Sequence, residues 1–167
     1  MKVFKSDLSY DGLDKLIGEL KDYKESLNDK CNEIVRQLEE MGVERARSLC
    51  PVDKGDARDS IVGYMDETNH SATIIAGSHC IYIEFGTGVV GGNSSHPSPE
   101  WLAFMSWAYG SGGTIFTTKD GRTGWYYPAD DGTWRFTEGM ESRPFMYETV
   151  QYLKKQSGNV AKGVFKS

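Results

Sequence analysis

Apolar residues recur along the first third of the chain at helical intervals. Leu13, Leu16, Ile17 and Leu20 follow i, i+3, i+4, i+7, which predicts an amphipathic helix from about Asp11 to Tyr23. Ser26 with Asp29 three residues later is a start signal for a second, longer helix. Its stripe runs through Leu27, Cys31, Ile34, Leu38, Met41, Gly42, Ala46 and Leu49 to Pro51, so residues 11–50 are expected to be helical. At 1.5 Å per residue the second helix alone is about 35 Å long. It either crosses a whole sheet or offers part of its surface to another molecule. Its other face, with Glu33, Arg36, Gln37, Glu40, Glu44 and Arg47, has the mixed charge of a solvated surface.

The period changes after Pro51-Val52-Asp53-Lys54-Gly55-Asp56, a run of turn residues that reverses the chain. Ser60 to Asp66, Ala72 to Gly77 and Cys80 to Phe85 are short β-rich runs separated by Asn69-His70-Ser71 and Ser78-His79, a spacing that predicts sequential antiparallel strands. Cys80 to Phe85 is expected to be the central one, with Ile81, Ile83 and Phe85 on one face and Cys80, Tyr82 and Glu84 on the other. From residue 86 to 98 the chain turns to Gly, Ser, Asn and Pro and reads as a flexible loop. Ser98-Pro99-Glu100 then has the order of an N-cap, a first-turn proline and a first-turn acid, opening a helix over 99–109. Thr114 to Thr117, Trp125 to Tyr127 and Thr133 to Thr137 follow as strands with Asp120-Gly121 and Asp131-Gly132 as turns, so the sheet region covers 58–137. Pro144-Phe145 opens a closing helix over 144–155, and residues 156–167, with little to bury, are expected to fray. The result is one α+β domain over 1–167: a long N-terminal helix and a C-terminal helix on a mainly antiparallel β-sheet, with an inserted loop-helix segment.

Composition narrows the function classes. A formal charge of −5 argues against a basic surface that grips nucleic acid phosphates, though not against one that DNA slides past. Cys31, Cys50 and Cys80 are odd in number and lie among apolar residues, which suits reduced core thiols and a cytoplasmic site of folding. No apolar run approaches the roughly 20 residues of a membrane span, and the N-terminus lacks a signal-peptide core, so a soluble chain without membrane contact is expected.

Each residue type able to carry chemistry also has a structural role open to it. Glu84, an acid on an apolar strand, needs a counter-charge, and Arg143 in Glu141-Ser142-Arg143-Pro144-Phe145-Met146 is the best candidate. A structural ion pair Glu84–Arg143 is expected, with the Glu84 carboxyl pulled below its usual range. Gly86-Thr87-Gly88-Val89-Val90-Gly91 matches the G-x-G-x-x-G dinucleotide pattern, but Gly92 to Pro97 is not expected to continue as the helix that would receive a pyrophosphate, and no acid lies about 20 residues on. His70, His79 and His96 fall in turns without metal-ligand spacing, and Cys80 next to His79 on a strand would point to the opposite face. No catalytic, metal or cofactor site is therefore assigned. The competing enzymatic reading is a small acid-dependent hydrolase using Glu84 with Asp130 or Asp131. The aromatics Trp101, Trp107, Trp125, Tyr126, Tyr127 and Trp134 form a candidate interface, some beneath the insert and some exposed for another subunit.

Four runs in order carry a resemblance: Cys50-Pro51-Val52-Asp53-Lys54-Gly55 with Arg58 and Ser60-Ile61; Tyr82-Ile83-Glu84-Phe85-Gly86-Thr87-Gly88; Gly124-Trp125-Tyr126-Tyr127-Pro128; and Arg143-Pro144-Phe145-Met146. Over roughly Lys30 to Lys155 the chain resembles the small head-to-tail connector, or tail-completion, family of long-tailed double-stranded DNA phages. Lys54 stands where a threonine is common and Ala57 where a leucine is common, so the turn after the helix is expected to pack less tightly. The resemblance implies a non-enzymatic virion protein at the phage neck, made and assembled in the host cytoplasm. It further implies a homo-oligomeric ring between head-closure and tail-tube proteins, with DNA passing through the lumen without specific binding. A prophage-derived module that binds a host protein is a third possibility.

Overall fold

A computed structural model describes residues 3–52, 55–109, 115–129 and 131–166. The fold is α+β. Helix α1 (Tyr10–Leu49) is one continuous rod of 40 residues, about 60 Å long. Ser9 caps it, its Oγ accepting from Gly12 N at 3.0 Å, and Pro51 follows its end. The expected break at Ser26 does not occur. Ser in a helix interior costs only a few tenths of a kcal/mol, less than the four unpaired N–H and four unpaired C=O groups that a new pair of helix ends would create.

A short turn of helix, α2 (Asp56–Asp59), leads into a hairpin of β1 (Val62–Asp66) and β2 (Ser71–Ile75), antiparallel with Val62 opposite Ile75 and Asp66 opposite Ser71. Both strands lie on α1, and His70 in the turn ties to Asn32 of α1 through Nδ1 at 2.7 Å. Gly42 makes the closest approach possible. A Cβ there would fall 2.3 Å from Ile74 Cδ1 and 2.9 Å from Leu153 Cδ1.

The run expected to be the central strand is instead helix α3 (Cys80–Phe85). A six-residue apolar run does not fix its own period, and β-propensity yields readily to packing. Alternation would put Glu84 and Phe85 on opposite faces; the helix turn lets Cys80, Glu84 and Phe85 all be buried. Residues 86–98 are not a free loop either. They contain α4 (Gly88–Asn93), whose Val90 N donates to Glu138 O at 3.2 Å, while Gly88 N donates to Tyr109 O. Gly88 and Gly91 are buried.

Helix α5 (Pro99–Phe104) starts where the sequence places it, with Ser98 Oγ accepting from Trp101 N, but stops several residues short of Tyr109. A second sheet follows, β3 (Phe116–Thr117), β4 (Thr123–Pro128) and β5 (Trp134–Thr137), in that order and antiparallel. The strand region therefore forms two small sheets. Strand β6 (Gly139–Met140) bridges Thr87 and Gly88. Lys54 and Thr114 lie outside the described residues.

Helix α6 (Phe145–Lys166), at 22 residues, runs well past the expected end at residue 155. The tail expected to fray continues as helix along α1, with Val164 buried and its carbonyl accepting from Lys30 Nζ at 3.2 Å. A sequence poor in large apolar residues still packs when a neighbouring helix offers a complementary face. The core lies where the ends meet: Ala46 and Cys50 of α1, Ile61, Cys80 of α3 and Phe145 of α6, with Ile74, Ile83 and Met146 packed against them. Cys31, Cys50 and Cys80 are free thiols.

Candidate functional site

The first turn of any helix has N–H groups without intrahelical acceptors. In α6 they are met by a side chain from about sixty residues earlier. Glu84 Oε2 accepts from Met146 N and Oε1 from Tyr147 N, each at 2.9 Å. The backbone beside it is fastened by the same two segments: Arg143 N donates to Ile83 O at 2.8 Å and Ser142 Oγ to Glu84 O at 2.6 Å. Thus the two runs that stand out in the sequence, around Phe85 and around Pro144 and Phe145, do meet.

They do not meet through an ion pair. Arg143 is exposed and lines a separate cleft with Pro51, Val52, His79, Ile83 and Met140. The expected Glu84–Arg143 contact is replaced by backbone amides and a histidine. A helix N-terminus supplies donors and a positive dipole end at once, so the carboxylate gains hydrogen bonds and favourable electrostatics without ordering a long side chain.

The histidine is His96, which the sequence places among isolated turn residues. Its side chain is fully buried, and Nε2 lies 3.2 Å from Glu84 Oε1. Ser98 N donates to Nδ1 at 3.0 Å. Ser98 O lies farther from Nδ1, at 3.3 Å; with Nδ1 accepting the shorter bond from Ser98 N, Nε2 carries the proton and donates it to Glu84. The ring is enclosed by aromatics, stacked on Trp101 at 5.7 Å and set against Phe85 at 4.9 Å and Tyr147 at 5.2 Å.

Burial raises the Glu84 carboxyl above its usual 4.5, and the hydrogen bonds from Met146, Tyr147 and His96 offset this only in part. That reverses the expected direction, because the cation invoked to lower it is not at the carboxylate.

Trp107 closes the next layer, with Nε1 donating to Gly86 O at 3.2 Å and its ring against Phe85 and Tyr82. Gly86 and Gly88 have φ of 74° and 64°, and a Cβ on Gly88 would stand 2.3 Å from Glu138 O. Glycine is required there on both counts. The G-x-G-x-x-G run does contain a helix start, α4 at Gly88, but Gly92 and Asn93 are the last residues of that helix and, as expected, it does not continue through Pro97. The run also follows a helix and not a strand, and its glycines serve this close packing.

Over this knot of Glu84, His96 and the start of α6 opens an apolar groove of about 870 Å³, walled by Ile81, Phe85, Trp101, Phe104, Met105 and Met146, with Glu84 among its lining residues. Both Glu84 oxygens already accept hydrogen bonds. Asp130, one proposed companion acid, lies outside the described residues; Asp131 pairs instead with Arg135 at 2.8 Å. Cys80 Sγ approaches Ser60 Oγ at 3.5 Å and Ala57 O at 3.7 Å. Among the described residues no group of three or more His, Cys, Asp or Glu is arranged to hold a metal ion. No helix among them is long and apolar enough to cross a membrane.

The six candidate interface aromatics divide. Trp101, Trp107 and Trp125 are half-buried, the first two around the knot and Trp125 against Gly88. Tyr126, Tyr127 and Trp134 are exposed on β4 and β5, Trp134 at 67%. Phe116 and Phe136, outside those six, join Tyr126 in a ring cluster with centroids 5.4–6.0 Å apart. No family model, curated protein or solved structure matches this chain.

Proposed function

We propose that this chain is a structural subunit of the head–tail junction of a long-tailed phage, working by ring-forming contacts with copies of itself around the DNA path. The observation that carries this reading is that the chain offers two different apolar surfaces. One is the open groove walled by Ile81, Phe104 and Met105; the other is the aromatic face of β3–β5 with Phe116, Tyr126 and Trp134. A ring is built from heterologous contacts, in which one patch of each subunit meets a different patch of the next. Exposed aromatics suit such contacts because they bring large area with few rotamers to fix.

The site chemistry supports the same assignment. The acid that looked most reactive caps a helix and has both oxygens occupied, which suits a clamp better than a general acid. The groove is apolar and fits a side chain better than a polar substrate. A net charge of −5 suits a lumen that lets DNA pass. On this reading the protein acts at the virion neck, between head-closure and tail-tube proteins, and is assembled in the host cytoplasm.

Native mass spectrometry and electron microscopy of the chain with the products of its neighbouring genes test the proposal. Closed rings are expected, lost on Trp134→Asp and on Met105→Asp while each variant keeps its melting temperature within a few degrees. Rings unaffected by both substitutions, no multimer in any mixture, or salt-dependent DNA binding by the pure chain would overturn it.

A further inference from the structure

Helix α1 is longer than anything that covers it. Helix α6 runs antiparallel along it, with Tyr152 at Arg45, Leu153 at Gly42 and Val164 at Lys30. It ends there, leaving residues 10–27, about 27 Å of helix, beyond its reach. The segment before α1 folds back on one flank, Phe4 against Tyr23 at 5.3 Å. The neighbouring face stays open: Tyr10 is 88% exposed, Leu13 41%, Ile17 50% and Leu20 45%.

These residues have a regular spacing. Tyr10, Leu13, Ile17, Leu20, Lys24 and Leu27 alternate three and four apart, and the same seam continues through Cys31, Ile34, Leu38 and Met41 into the stretch that α6 accompanies. A 3,4 repeat is the pattern of a helix that packs lengthwise on another.

The flanking charges decide what the other strand is. Asp14 and Lys21 lie seven residues apart on the same edge of the seam. If a second copy of this helix lies antiparallel, with Ile17 against Leu20 of its partner, Tyr10 meets Leu27 and Leu13 meets Lys24. Asp14 then faces the second copy's Lys21, and the two-fold axis repeats that pair. A parallel, in-register pair would instead bring Lys24 against Lys24 within the seam and leave Asp14 and Lys21 beside Ser9 and Leu16. Acids outnumber lysines between Tyr10 and Asn28, which disfavours an anionic membrane surface as the occupant.

We infer that the exposed first half of α1 is a self-association arm that pairs two copies of the chain as a short antiparallel coiled coil. This contact rests on α1 alone and stands whether or not the ring assignment does.

Sedimentation equilibrium of the full chain at tens of micromolar, in low salt, tests it, with helicity by circular dichroism as the folding control. The wild type is expected to have twice the mass of Ile17→Asp at equal concentration. Asp14→Lys replaces two attractions with two repulsions and is expected to weaken pairing about tenfold or more. The double variant Asp14→Lys with Lys21→Asp restores the opposite charges and should recover the wild-type mass. Equal masses for the wild type and Ile17→Asp would overturn the inference. So would a double variant as weak as the single one, since only an antiparallel second copy makes these two positions partners.

Discussion

Replacing Glu84 by Gln changes one oxygen of the buried carboxylate into an amide nitrogen that can only donate. Three donors converge on that group: Met146 N and Tyr147 N at 2.9 Å and His96 Nε2 at 3.2 Å. The Gln oxygen is best placed where Oε1 stands, keeping Tyr147 and His96. Its NH2 then faces the Met146 N–H, and a backbone donor in the first turn of α6 loses its acceptor. An unsatisfied buried donor costs about 1–3 kcal/mol, a large share of the roughly 5–15 kcal/mol that holds a typical domain together. For a chain of this size that is a drop of roughly 2–12 °C in melting temperature.

The pH dependence separates this account from a salt bridge. Because burial raises the Glu84 carboxyl above 4.5, the folded protein holds this proton more tightly than the unfolded chain. The stabilising contribution is therefore complete below about pH 4.5 and declines as pH rises through the raised value. The substituted amide does not titrate, so Glu84→Gln should cost more at about pH 4.5 than at about pH 7. Urea denaturation followed by circular dichroism at both pH values measures this, provided the slope with urea stays that of the wild type. A variant as stable as the wild type at both pH values would mean that Glu84 does not hold α6. A cost that grows toward neutral pH would mean that the hydrogen bonds to the ionised form, and not burial, govern the carboxyl.

Two further substitutions follow from the same contacts. Arg143→Ala should change stability by less than about 1 kcal/mol in the same urea experiment, because this residue is tied to Ile83 O by its backbone N–H and not by its guanidinium. Val164→Ala should cost about 1–3 kcal/mol through lost apolar burial and a small void. Amide exchange should also show protection from Gln156 to Val164, which a frayed tail would lack.

Elements with a strong local signal were legible in the sequence. The period of α1, the Ser98-Pro99 start of α5 and the hairpin turn between β1 and β2 each depend on residues within a few positions of one another. What failed did so where a partner far along the chain decides. Cys80 to Phe85 is rich in residues that favour strands, yet it folds as a helix because Cys80, Glu84 and Phe85 are all drawn into the interior. The last turns of α6 look too polar to persist until Lys30 and the flank of α1 are beside them. His96 gave no usable signal. A histidine in a Gly- and Ser-rich run carries no mark of the acid twelve residues earlier to which it donates.

Local periodicity, and the cost of leaving a charge without partners, were enough to establish an α+β chain with a long amphipathic N-terminal helix. They also marked one acid that must be satisfied and two motif runs that belong together. Which donors satisfy that acid was left to the packing of distant segments. The backbone N–H groups at the start of a helix are present in every sequence and visible in none, and whether they are used depends on where another segment comes to rest.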